Sequence, residues 1–145
     1  MHVAALRYGT AGPRAPLPAE LRALSDFLDA RRDVTVPLCV SAGVVTRPAL
    51  SAVLAVDPRR DPGAVCRAAA AALADPDGPL APDDRSLGRP LDRSDVLAVL
   101  HGVTGVVGVT QLTLAGASGE LGRLAAARYE LVFPADDPQL TGAAA

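Results

Sequence analysis

The 145-residue sequence predicts an α+β domain: a mainly antiparallel or mixed sheet with two or three helices packed on one face. Apolar residues recur at helical spacing in three stretches, short alternating or branched apolar runs lie between them, and Pro, Gly and Asp cluster at the breaks. A chain of this length fits one domain and buries on the order of 70% of the surface it exposes when unfolded. Residues 1–133 are assigned to that domain and 134–145 to a flexible tail.

Taken in order, His2 to Tyr8 alternates weakly and reads as a short strand, and Gly9 to Pro18 as a turn or linker. From Pro18 to Arg32, Leu21, Leu24, Phe27 and Leu28 fall at helical spacing. Pro18 suits the first turn, and Arg31 and Arg32 suit the negative C-terminal end. Val34, Val36, Leu38 and Val40 then alternate with Thr35, Pro37, Cys39 and Ser41, a strand with one buried face in which Pro37 marks an edge or irregular position. After the break at Gly43 to Pro48, Ala49 to Val56 reads as a second strand, and the simplest geometry joins the two as a long antiparallel hairpin.

Asp61 is a good N-cap and Pro62 is tolerated at the first helical position, so a second helix runs to about Ala74 with Val65, Ala69, Ala72 and Leu73 on one face. Its alanines allow close approach to a sheet or a neighbouring helix. Asp75 to Arg89 is the longest polar interruption, dense in Pro, Asp and Gly, and reads as a mobile candidate interaction loop. Asp92 is placed as the N-cap of a third helix, with Asp95 in its first turn and Val96, Leu97, Val99 and Leu100 on its apolar face, ending at Gly102. Val106 to Leu114 and Arg128 to Phe133 are strands, separated by a loop at Gly116 to Arg123.

Composition excludes several function classes. The formal net charge is −2, Lys is absent, and the arginines are scattered among aspartates with no one-sided basic stripe, which argues against nucleic acid. No signal-peptide pattern and no apolar run of about 20 residues is present, so neither export nor membrane insertion is expected. Cys39 and Cys66 each lie in an apolar pattern and make no disulfide framework, which fits a reducing, cytoplasmic setting.

Candidate chemistry is sparse. Gly102, Gly105 and Gly108 follow a helix and precede a strand, the reverse of a phosphate-binding order, so a helix stop, a tight turn and a bulge account for them. Ser94, Asp95 and His101 share one short helix without the strained strand-to-helix turn of a hydrolase nucleophile. His2, Cys39, Cys66 and His101 are too dispersed for local metal chelation, and Asp75, Asp77, Asp83 and Asp84 do not match a calcium-loop register. Arg59 and Arg60, between Asp57 and Asp61, fit local salt bridges or an interface rim. No catalytic, cofactor or metal residue is assigned, and the chain reads as a non-enzyme.

Four stretches, in order, resemble the C-terminal part of the baseplate J-like family, wedge proteins of contractile phage tails and related injection systems. Pro16 to Val36 resembles the family's helix after a Pro-containing linker, matched at Leu28, Asp29, Arg31 and Arg32. Pro48 to Val56 and Asp61 to Leu73 resemble the strand and Ala-rich helix that follow. Leu87 to Val109 resembles the most recognisable stretch, through Gly88, Arg89, Ser94, Asp95, Gly105 and Val106, and Gln111 to Leu114 with Tyr129 to Phe133 resembles the closing hairpin. Family members are commonly longer, with additional upstream domains.

The resemblance implies a structural role in a cytoplasmically assembled tail-like particle, in several copies, with other wedge, sheath, tube or spike proteins as partners and no cofactor. The contact surfaces expected from it are the loop Asp75 to Arg89 and the exposed face of Pro18 to Arg32, with Arg31, Arg32, Asp83, Asp84, Arg85 and Arg89 as interface residues and Arg89 as the best polar anchor. The competing reading is a small-molecule-binding regulatory α+β domain, which requires a discrete apolar pocket with converging polar groups. A hydrolase using Ser94 or His101 requires those groups to meet around a cleft.

Overall fold

Alternation is strongest in Leu50–Val56, and the strand it builds is the centre of the molecule. The computed structural model describes residues 1–9, 12–81, 85–115, 126, 130–132 and 137–145. Among these the order is β1 (His2–Ala5), β2 (Arg7–Gly9), β3 (Gly12–Arg14), α1 (Pro18–Asp29), β4 (Cys39–Ala42), β5 (Val44–Thr46), β6 (Leu50–Val56), α2 (Pro62–Leu73), α3 (Arg93–Gly102), β7 (Val106–Leu114), β8 (Glu130–Val132) and β9 (Gln139–Ala144). The class is α+β, as the sequence predicts.

In β6, Leu50, Ala52, Leu54 and Val56 are buried and the residues between them are not, the period of a strand with one face inward. Against that face lie Val65, Ala69 and Leu73 of α2 and Val96 and Leu100 of α3, positions one helical turn apart that put a single stripe of each helix into the core. Leu80, Leu91, Leu112, Leu114 and Val132 complete it.

Helix starts follow the sequence signals with one exception. The Asp61 carboxylate accepts from the N–H groups of Gly63 at 3.3 Å and Ala64 at 2.9 Å, with Pro62 at the first helical position. At α1 the cap comes from within, as Glu20 Oε2 accepts the Leu17 N–H at 2.8 Å. Asp92 occupies the N-cap position of α3, but its side chain makes no capping hydrogen bond. Its charge instead favours the protonated Arg85 guanidinium.

The strands do not form one sheet. Among the described residues there are four small ones: β1 with β4 in parallel, β2 with β3 antiparallel, β5 with β8 in parallel, and a mixed sheet ordered β7-β6-β9. Helices α2 and α3 cover the mixed sheet, whereas α1 packs against β4. Two helices therefore lie on one face of a mixed sheet, as the sequence predicts, while the remaining strands pair in separate small sheets.

Two strand expectations fail for identifiable reasons. The predicted strand from Val34 begins only at Cys39, because Asp33 accepts both the N–H and the hydroxyl of Thr35 and bends the chain into a turn. Val34, expected on the buried face, is 88% exposed in that turn, while Cys39, on the alternate face, is exposed. No long hairpin joins this segment to β6, since β4 has taken β1 as its partner and β6 lies between β7 and β9.

The stretch assigned to a flexible tail contains β9, which pairs in parallel with β6 from Ser51 with Gln139 to Val56 with Ala144. Its sequence looks unstructured because its residues are small, and that smallness is what α2 requires. A Cβ at Gly142 would lie 3.0 Å from Cys66 Sγ and 3.1 Å from Pro62 Cβ.

Two register shifts bend the β6–β7 ladder, with Thr110 and Val107 left unmatched between paired residues. Gly105 makes the turn into β7 at φ +103, a conformation that L side chains rarely adopt.

Candidate partner interface

A polar loop is expected to face water, yet in the segment between α2 and α3 the structure buries Leu80, Ala81, Arg85 and Leu91. The Arg85 side chain is fully buried. Its Nε donates to the Val132 carbonyl at 2.7 Å and Nη2 donates to the Pro90 carbonyl, with a longer contact to the Arg89 carbonyl at 3.5 Å. Nη1 lies 3.6 Å from Asp95 Oδ2 and makes no hydrogen bond among the described residues. Burial lowers the Arg85 pKa and the neighbouring Arg89 cation lowers it further, while Asp95 opposes both.

Arg85 is therefore corrected from an interface residue to an internal tie. It fastens the loop to β8 and to the first turn of α3, since a five-donor guanidinium can serve several carbonyls from one position. Sequence reasoning missed this because the apolar residues around Arg85 follow no period that would mark the segment as inward.

Arg89 is exposed, as expected of a contact residue. With Pro79, Leu80, Asp95, Ala98 and Val99 it lines a cavity of about 210 Å³ between the loop and α3. Asp83 and Asp84 lie outside the described residues, as does the whole Gly116 to Arg123 loop.

At the end of α1 the two arginines divide. Arg31 donates to the Phe27 carbonyl at 3.1 Å and its guanidinium sits 3.8 Å from the centre of the Phe27 ring, a cation–π pair on a ring that remains 54% exposed. Arg32 binds Asp29 Oδ1 at 2.5 Å and donates to the carbonyls of Asp33 at 3.2 Å and Val36 at 2.7 Å, holding the turn that follows the helix. Arg31 and Phe27 thus form a surface platform, while Arg32 is used internally.

The apolar stripe of α1 finds little cover. None of its residues is buried, and Leu21, Leu24 and Leu28 are only half-covered. The helix is held at its start by ions, with Glu20 taking Arg14 at 2.9 and 3.0 Å and Arg7 at 3.5 Å. The Arg14 hydrogen bond, then the Leu17 N–H, pull the Glu20 carboxyl down to about 2.

The hydrolase constellation does not assemble. Ser94 and His101 are both exposed and two turns apart on α3, about 10 Å along its axis, while Asp95 faces Arg85. Among the described residues no group of three His, Cys, Asp or Glu side chains comes close enough to hold a metal, and no helix is long and apolar enough to cross a membrane.

Among the described residues, the salt bridges expected of Arg59 and Arg60 are likewise not formed. Asp57 instead accepts the Arg59 backbone N–H at 2.9 Å, and Asp61 is used in capping α2 with Arg67 3.9 Å away. Arg60 lines a groove of about 410 Å³ with Asp61, Ala64, Val65, Ala68, Val103 and Thr104.

No family model matches the chain, and no curated protein matches it.

Proposed function

We propose that this chain is a structural component that acts through protein–protein contacts, as a baseplate wedge component of a contractile, phage-tail-like injection system. The observation that carries the docking role is α1, a helix with an apolar stripe of which no residue is buried and whose Phe27 and Arg31 face solvent. An amphipathic helix normally spends such a stripe on a core. Here the stripe and its exposed aromatic–arginine pair have the composition of an interface, where aromatic residues and Arg are enriched. Arg89 beside its cavity supplies a second contact of the same kind.

The wedge assignment rests on the resemblance through Leu28, Asp29, Arg31, Arg32, Gly88, Arg89, Ser94, Asp95, Gly105 and Val106. In that role, copies of the chain assemble around the tail base in the cytoplasm with sheath, tube or spike proteins. Sheath contraction is coupled to rearrangement of their interfaces, not to bond chemistry.

Mild lysis and affinity capture of the tagged full chain is the test. Recovery of sheath and spike proteins in a particle-sized fraction is expected, with Phe27→Asp reducing that recovery while leaving the melting curve of the purified chain unchanged. A chain that runs as a monomer and brings down none of these proteins removes the proposal.

A further inference from the structure

Helix α2 has two faces of unusual similarity. Its inward stripe is Val65, Ala69 and Leu73, but its solvent side is also apolar, with Gly63, Ala64, Ala68, Ala71 and Ala74 all exposed and Arg67 the one charged residue among them. A helix that is apolar all round is normally covered on all sides. The 410 Å³ groove runs along this solvent side, floored by Val65 and Val103.

Charge is separated along the same helix. Arg59 and Arg60 precede it and Asp75 and Asp77 follow it, all four exposed and none in an ion pair among the described residues. The acids nearest the arginines lie on their own side of the helix, where Asp57 accepts the Arg59 N–H and Asp61 caps the helix, while at the far end Asp75 accepts the Asp77 N–H at 3.0 Å through one carboxylate oxygen. Arg67 is drawn toward the N-terminal end by Asp61, 3.9 Å away, which leaves the middle of the face to alanine.

We propose that this face and its groove are a contact between two copies of the chain, with their α2 helices packed antiparallel across a two-fold axis. The placement of the residues favours a second copy over an unrelated partner. Arg60 lies two residues before the helix and Asp75 two residues after it, so the two are placed symmetrically in sequence about the midpoint between Ala64 and Ala71. Antiparallel packing about that midpoint sets Ala64 of one copy against Ala71 of the other and Arg60 against Asp75, each pair occurring twice. A parallel pair would set arginine over arginine and aspartate over aspartate. Alanine on both sides lets the axes approach to about 8 Å, and the C-terminal turn of the second helix then fills the groove beside Arg60. The contact area of one short helix makes this a weak association, of the kind that gains strength within a larger assembly. The contact does not depend on the wedge reading, because it is a property of the purified chain alone.

Sedimentation velocity of the full chain over a wide concentration range tests the pairing, with far-UV circular dichroism melts confirming that each variant is folded. A dimer fraction that rises with concentration is expected. Ala68→Arg should abolish it, and Arg60→Asp should weaken it about tenfold. Arg60→Asp combined with Asp75→Arg should recover most of the loss, since the charges are exchanged and not removed. A strict monomer at every concentration, a dimer indifferent to Ala68→Arg, or a folded double variant no better than Arg60→Asp alone would each overturn the proposal. Recovery of sheath and spike proteins by a chain that stays monomeric would overturn this contact while leaving the wedge reading in place.

Discussion

Removing the Arg85 guanidinium would leave the carbonyls of Val132 and Pro90 without their donors, in a segment where Leu80, Ala81 and Leu91 exclude water. Losing two charge-assisted hydrogen bonds from a buried site costs on the order of 3 kcal/mol, so Arg85→Met should lower the denaturation free energy by about that much in urea. Arg85→Lys should not restore it, because a single ammonium cannot reach several carbonyls in the plane the guanidinium spans. Arg89→Ala, four residues away and exposed, should stay within about 0.5 kcal/mol of the parent; equal losses at the two positions would contradict the internal role given to Arg85. Glu20, at the start of α1, offers a titration test. Its folded pKa of about 2 lies below the usual carboxylate value of 4.5, so its contribution to stability is present in full above the unfolded pKa and is lost as pH falls from 4.5 toward 2. Glu20→Gln should flatten acid unfolding in that window and leave neutral pH behaviour of the other carboxylates unchanged.

Among the elements, α2 and β6 were the most legible in advance, because each announces itself by local means: an Asp–Pro start and Val65, Ala69 and Leu73 for the helix, a period of two for the strand. Partners were not legible. Nothing within Cys39–Ala42 says that it will pair with β1 and not with β6, and little in Gln139–Ala144 advertises a strand, since Leu140 is its one large apolar residue and Gly142 is kept small against α2. The candidate interface divides in the same way: the helical stripe of α1 and exposed Arg31 follow from spacing, whereas the burial of Arg85 depends on a loop path that no periodicity encodes. Two substitutions check the element assignments. Leu54→Ala, at a fully buried position of β6, should cost about 2–5 kcal/mol in chemical denaturation. Gly105→Ala should also destabilise, because its Cβ would stand 2.6 Å from Arg60 Cδ and 2.9 Å from Val65 Cγ2 at a positive φ, and a neutral result would mean the turn into β7 is built differently.

At the scale of the whole molecule, the core under α2 and α3 is continuous, while β1, β4 and α1 form a separate small packing whose apolar helix is left half-covered. Such a division suits a protein with one part that keeps its shape and another that meets a partner. It also predicts how truncation behaves: a chain ending before Gln139 loses the strand paired with β6 from Ser51 to Val56, and should yield a lower melting temperature and more aggregated protein on gel filtration. A truncated chain as stable as the parent would show that β9 contributes nothing to the fold.

The parallel ladder of β6 has a temporal meaning as well. Ser51 reaches its neighbour only when Gln139 has been synthesised, so one edge of this strand must wait on the ribosome while most of the polypeptide emerges. Closing so distant a pair carries a large entropy cost before any contact repays it, and sheet completion should be the slow phase of refolding. Until then, the apolar strand at the centre of this sheet stands with one backbone edge open to unwanted pairing with any passing chain.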